Sequence, residues 1–156
     1  MEILRAIINS NLHNEVYVVA TSLGAFYAMM LSVLQVFRDN ISFHLINPSF
    51  TPHNTLRRFV GTTVVNHKTE ESYHVSEDFL NKLERYYKAL VQTYSPSALY
   101  SCSFFLGTLD ELLDFTELLD FIKQYKAPYR IYYSQQDHRF ADISLVVEKI
   151  KQNMIY

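Results

Sequence analysis

Apolar residues along this chain fall into short continuous runs separated by amphipathic stretches, and the two patterns predict different elements. Glu15 to Ala20 is a continuous apolar run of the kind buried in a parallel sheet. Ile41 to Ile46, Ala98 to Leu106 and Tyr129 to Ser134 predict three further strands. Between them the spacing turns helical. Ile3, Leu4, Ile7 and Ile8 predict a short amphipathic helix over residues 2 to about 11. From Ala25 to Phe37 apolar residues fall on every face, which suits a helix buried under a sheet and ended by Asp39-Asn40. Ser76 caps another helix, with Glu77 and Asp78 in its first turn. Phe79, Leu83, Tyr86, Leu90 and Tyr94 continue it on one stripe as far as Ser95-Pro96. Two more helices are predicted, over about Thr116 to Tyr125 and about Ala141 to Met154. Leu56 to Val60 reads as one or two helical turns, and Thr62 to His74 as polar and irregular. Strands alternating with helices predict an α/β fold, a mostly parallel sheet with helices on both faces.

The length of 156 residues suits a single domain, 1–156, with one sizeable core. A net charge of −2 provides no basic surface for nucleic acid. One cysteine, Cys102, allows no internal disulfide and fits a reducing compartment. It lies in an apolar strand, as a small hydrophobe rather than a nucleophile. The most apolar stretch, Ala25 to Leu34, is too short to span a membrane. The N-terminus lacks the basic-then-apolar pattern of a signal peptide. A cytoplasmic location is the expectation.

The chemistry concentrates where the first strand meets its helix. Val16 to Thr21 runs into Ser22-Leu23-Gly24 and then directly into apolar residues, the order of a nucleophile elbow. A serine on that turn has its Oγ exposed at the strand's carboxyl end, before a helix N-terminus that favours developing negative charge. The turn demands small residues two before and two after the serine, here Ala20 and Gly24. An activated serine also needs a base, and the base an orienting carboxylate. Ser22 follows the first strand, Asp110 the third and His138 the fourth, the chain order of α/β-hydrolases. Ligands of open α/β sheets bind at that carboxyl edge. Asp114 is an alternative acid, though deeper toward the next helix; Asp137 adjoins His138, which is poor geometry for orienting that ring. His44 reads as a satisfied, half-buried strand residue; His53, His67 and His74 as solvated; His13 lies at the wrong end of its strand. No histidine pair or Cys/His cluster has metal-ligand spacing.

Four segments carry a family resemblance: Val18 to Ala28; Leu45 to Ser49 with Pro52 and Leu56 to Gly61; Gly107 to Phe115; and Asp137 to Phe140. In this order they resemble the small YqiA/YcfP-like esterases of the α/β-hydrolase superfamily. The resemblance implies a three-layer α/β-hydrolase-like fold and cytoplasmic carboxylic-ester hydrolysis without a cofactor. It also implies Ser22 as nucleophile, Asp110 as acid and His138 as base. Family members begin with a strand ending in His-Gly, whose loop supplies part of the oxyanion hole. Residues 1 to 14 correspond instead to the helix before the nucleophile strand, so an N-terminally truncated domain is expected. The backbone N–H of Leu23 then remains as one oxyanion donor, and losing a second costs on the order of 10²–10³ in rate. Thr51 to about residue 95 is the expected cap; in it Phe79 and Tyr86 read as core, and Phe59 and Tyr73 as core or pocket. Two functions follow. One is a serine esterase acting on a small-molecule ester through an acyl-enzyme. The other is a hydrolase-derived binding module or truncated product, whose unfilled sheet edge predicts a homodimer.

Overall fold

The computed structural model describes residues 6, 10–11, 14–34, 40–65, 70–93, 102–124 and 130–153. At its centre β1 (Val16–Thr21), β2 (Ile41–Ile46), β5 (Cys102–Gly107) and β6 (Arg130–Ser134) form a sheet in that order, every neighbouring pair parallel. Thr21 stands opposite Ile46, Ile46 opposite Phe105, and Gly107 opposite Ser134. All four carboxyl ends therefore finish at one edge.

Side-chain alternation sends two sets of apolar groups to opposite faces. On one face Val18, Phe43, Leu45, Phe104 and Leu106 pack with residues of α1 (Ser22–Leu34), α3 (Glu77–Thr93) and α4 (Thr116–Gln124). On the other, Ile46 and Phe105 pack with Phe140 and with Val146 of α5 (Ser144–Asn153). Helices thus lie on both faces, as the alternation of elements predicts. Each large side chain fully buried in these layers contributes about 1.5–3 kcal/mol.

α1 begins at Ser22 itself rather than at Ala25, so Leu23 and Gly24 form part of its first turn. Its Ala25, Phe26, Ala28, Met29, Met30 and Leu31 are all buried. α3 starts as expected, with the Ser76 hydroxyl accepting the Phe79 N–H at 3.1 Å. Two expectations are corrected. The stretch from Thr62 to His74 holds an antiparallel hairpin, β3 (Thr63–Val65) with β4 (Ser72–His74). All six of its residues are exposed, so no alternation of burial marks it in the sequence. Backbone bonds from Gly61 N–H to Val75 O and from Val75 N–H to Thr62 O close its open end. Second, His53, at the second position of the short helix α2 (Pro52–Thr55), is not solvated: it is buried against Tyr87, ring centroids 5.1 Å apart. The helix expected over residues 2–11 falls almost wholly outside the described residues, as do Tyr94, His13 and His67. Among the described residues no helix is long and apolar enough to cross a membrane.

His44 is more deeply buried than its sequence position suggests, with no exposed surface. It lies between Tyr17 and Phe105; its Nε2 is 3.1 Å from Ser42 Oγ, and its Nδ1 has no hydrogen-bond partner. Burial, aided by the nearby Arg130 cation, pushes its imidazole from 6.5 down to about 4. Between those values the unfolded chain binds a proton that the folded chain refuses, so stability falls as pH drops from 6.5 toward 4. Urea unfolding across that window should show a shallower decline in His44→Leu than in the wild type; equal slopes would assign the acid sensitivity elsewhere.

Candidate active site

Ser22 joins the last residue of β1 to α1 with a φ of +49°, the left-handed region that a residue with a Cβ adopts only under constraint. Such a conformation costs about 1–3 kcal/mol and persists where the surroundings dictate it. Here the core holds both sides of the turn, and the Ser49 N–H donates to the Ser22 carbonyl at 3.1 Å. The Leu23 N–H belongs to the first turn of α1, whose amides lack intrahelical acceptors and carry the positive end of the helix dipole. Beyond its chain neighbours and the backbone of its own helix, a Cβ at Gly24 would meet nothing within 4 Å.

The other two sequence-selected residues converge on Ser22. His138 Nε2 lies 3.1 Å from Ser22 Oγ, and His138 Nδ1 lies 2.9 Å from Asp110 Oδ2. A carboxylate only accepts, so Nδ1 carries the proton; Nε2 of the neutral ring is then left with a lone pair toward the serine hydroxyl. The Asp110 side chain is 1% exposed and that of His138 17%. Burying a carboxylate is costly unless its oxygens are hydrogen-bonded. Asp110 Oδ1 accepts the N–H groups of Leu112 and Leu113, both at 2.9 Å, which leaves Oδ2 for the histidine.

Asp114 is engaged otherwise. Its Oδ1 accepts the N–H and hydroxyl of Thr116 at the start of α4, at 2.8 and 2.7 Å, and these bonds hold its carboxyl below the usual value. Asp137 Oδ1 accepts the Arg139 N–H at 3.0 Å, within its own turn.

The loops after β5 and β6 meet because the strand pairing continues past their ends. Thr108 N–H donates to Ser134 O at 2.8 Å, and Leu109 N–H to Gln136 O at 3.1 Å. The Gln136 side chain clamps the far end of the histidine loop, Nε2 donating to Asp142 O and Oε1 accepting the Asp142 N–H. Phe140 plugs that loop into the second core layer. Sequence reasoning passed over two residues that touch the loop: Glu111, whose Oε2 accepts the His138 N–H at 3.2 Å, and Asn47 at the end of β2. The signal for Asn47 was a buried-strand run ending in a polar residue before proline. A cavity of about 110 Å³ opens beside the serine, walled by Leu23, Leu56, Phe59 and Leu113 with His138 and Ser49. Phe59 is thus both half-buried core and pocket wall, whereas Tyr73 is 52% exposed and faces away from the core.

Residues 1–154 match the uncharacterised protein family UPF0227, which is the YqiA/YcfP family. The chain belongs to this family. No curated protein matches it in sequence. Among solved structures, alpha/beta hydrolase domain-containing protein 10 from mouse aligns with a TM-score of 0.65 and 12% identity, over 98% of this chain and 67% of that one. Est1E from Butyrivibrio proteoclasticus aligns with a TM-score of 0.60 and 17% identity, over 91% and 60%. The esterase domain of a Rhodothermus marinus protein aligns with a TM-score of 0.60 and 12% identity, over 88% and 61%. At such identities the likeness shows the fold, that of an α/β-hydrolase. This UPF0227 chain spans about three-fifths of the length of the two esterase structures.

Gly107, the last residue of β5, has its hydrogen pointed at the histidine loop: a Cβ there would lie 2.4 Å from Gln136 O and 3.1 Å from Asp137 O. Both contacts are backbone, so no side chain can swing aside. Gly107→Ala should lose about 1–3 kcal/mol of stability in urea unfolding; a wild-type midpoint would contradict this packing.

Proposed function

We propose that this chain is a serine esterase that cleaves small carboxylic esters through an acyl-enzyme. The observation that carries the reading is the continuous hydrogen-bonded line from Asp110 through His138 to Ser22. Ser22 Oγ attacks the ester carbonyl as His138 Nε2 takes its proton, and Asp110 holds the ring and stabilises the imidazolium. The Leu23 N–H donates to the oxyanion of the tetrahedral intermediate. His138 returns the proton to the departing alcohol, and water then hydrolyses the acyl-serine by the same steps. No cofactor enters this sequence. The segment from Thr51 to Thr93 serves as the cap, and its Leu56 and Phe59 set the apolar wall against which the acyl group rests.

A second reading, a hydrolase-derived domain that binds through this pocket but turns over slowly, is favoured by the exposed outer strand. Among the described residues β1 pairs only with β2, and its Val19 is 49% exposed. Self-association through that edge belongs to this reading. The two separate on turnover, since a binding module acylates at most once.

A fluorophosphonate probe should label the folded chain and not Ser22→Ala; labelling that survives Ser22→Ala would refute the nucleophile assignment. Asp110→Asn should lower the labelling rate by about 10³–10⁴, because the amide favours the wrong imidazole tautomer. Asp114→Asn should label like the wild type. A reversed order between the two aspartate variants would transfer the acid's role to Asp114.

A further inference from the structure

Asn47 is fully buried, sits at a φ of +41°, and uses its whole amide. Its backbone N–H donates to Phe105 O at 2.9 Å. Its Oδ1 accepts the Gly107 N–H at 2.7 Å. Its Nδ2 donates to Asp137 O at 3.1 Å and to His138 O at 3.2 Å. One side chain therefore ties the end of β2 to the end of β5 and to the peptide carbonyls on either side of the histidine's own N–H.

We infer that Asn47 is a positioning residue that sets the His138 backbone, and through it the ring, between Asp110 and Ser22. This rests on the serine-esterase reading above. The residue type follows from the geometry. The site offers one N–H to accept from and two carbonyls to donate to, and a primary amide of this length supplies both in one group. Rotating the amide would set its NH₂ against the Gly107 N–H and its oxygen against two carbonyls, so the orientation is unique. Aspartate would accept from Gly107 but repel both carbonyls, and glutamine is a methylene too long. A left-handed φ is tolerated better by asparagine than by most residues with a Cβ.

The lock works together with Gly107. The absence of a Cβ at Gly107 lets the histidine loop approach the strand end, and Asn47 Nδ2, itself 3.2 Å from where that Cβ would stand, holds it there. Within the histidine loop Phe140 N–H also donates to Asp137 O at 3.2 Å, whereas Asn47 reaches the carbonyls of both Asp137 and His138 from the end of another strand. Glu111 holds the His138 N–H from the opposite side, but from an exposed position. The buried amide is the stiffer of the two constraints.

The test compares wild type, Asn47→Ala and Asn47→Asp, each first checked for folded content by circular dichroism. With a short-chain p-nitrophenyl ester, Asn47→Ala should lose about 100-fold in kcat, the scale of a misplacement near 1 Å, with little change in KM. The activity of Asn47→Asp relative to wild type should rise toward acid pH, where the protonated carboxyl can still donate to one carbonyl. By NMR, the downfield Nδ1–H resonance of His138, assigned by its loss in His138→Gln, should vanish or move upfield in Asn47→Ala. Wild-type kcat with an unmoved resonance in Asn47→Ala would overturn the inference. So would an Asn47→Asp ratio independent of pH, which applies even where the alanine variant fails to fold. Should the wild-type chain hydrolyse no ester, the esterase reading fails by itself, and the resonance in the variants still decides whether Asn47 places the ring.

Discussion

Because β1, β2, β5 and β6 all run parallel, the loops that follow them emerge at one edge of the sheet, and the candidate site depends on this more than on any single contact. Ser22 comes directly after β1, Asp110 three positions beyond β5, and His138 four beyond β6. A strand of this length running the other way would deliver its loop roughly 20 Å away, at the far edge. The pairing of Thr108 and Leu109 with Ser134 and Gln136 then extends the same register past the sheet. It brings the carboxylate and the imidazole to 2.9 Å without any long-range search by the side chains.

Holding three loops together at one edge carries a conformational cost, and that cost is concentrated at the site. Four described residues other than glycine have positive φ: Ser22, Asn47, Glu70 and Phe140. Three of them border the site, at the elbow, at the end of β2 and in the histidine loop. Each is fixed by something built on the core. Ser22 stands between β1 and the buried helix α1, Asn47 uses four hydrogen bonds, and Phe140 inserts beside Val146 and Phe105. The strain of about 1–3 kcal/mol at each position is offset by burial of comparable size nearby. The exposed hairpin with Glu70 supplies no residue to the pocket beside Ser22.

Much of this was legible in the chain because the relevant signals are local. Continuous apolar runs marked the central strands, and Ser22 at a strand-to-helix junction marked the elbow. The order of Ser22, Asp110 and His138 at successive strand ends then anticipated which side chains meet. The hairpin was not legible, since Thr63–Val65 and Ser72–His74 pair only through backbone groups and bury nothing. Nor were His44 and His53, whose burial comes from Phe105, Tyr17 and Tyr87, residues distant in sequence or on other elements. Asn47 was visible only as a polar stop after β2. Its partners lie 60, 90 and 91 positions away, and no local pattern encodes a bond of that range.

The most direct measurement is the intact mass of the chain after a brief exposure to an activated short-chain ester, quenched in acid and mapped by peptide. The account predicts an increment of one acyl group, carried by the peptide that contains Ser22 and absent from Ser22→Ala. An unchanged mass, or an acyl group on any other residue, would contradict it.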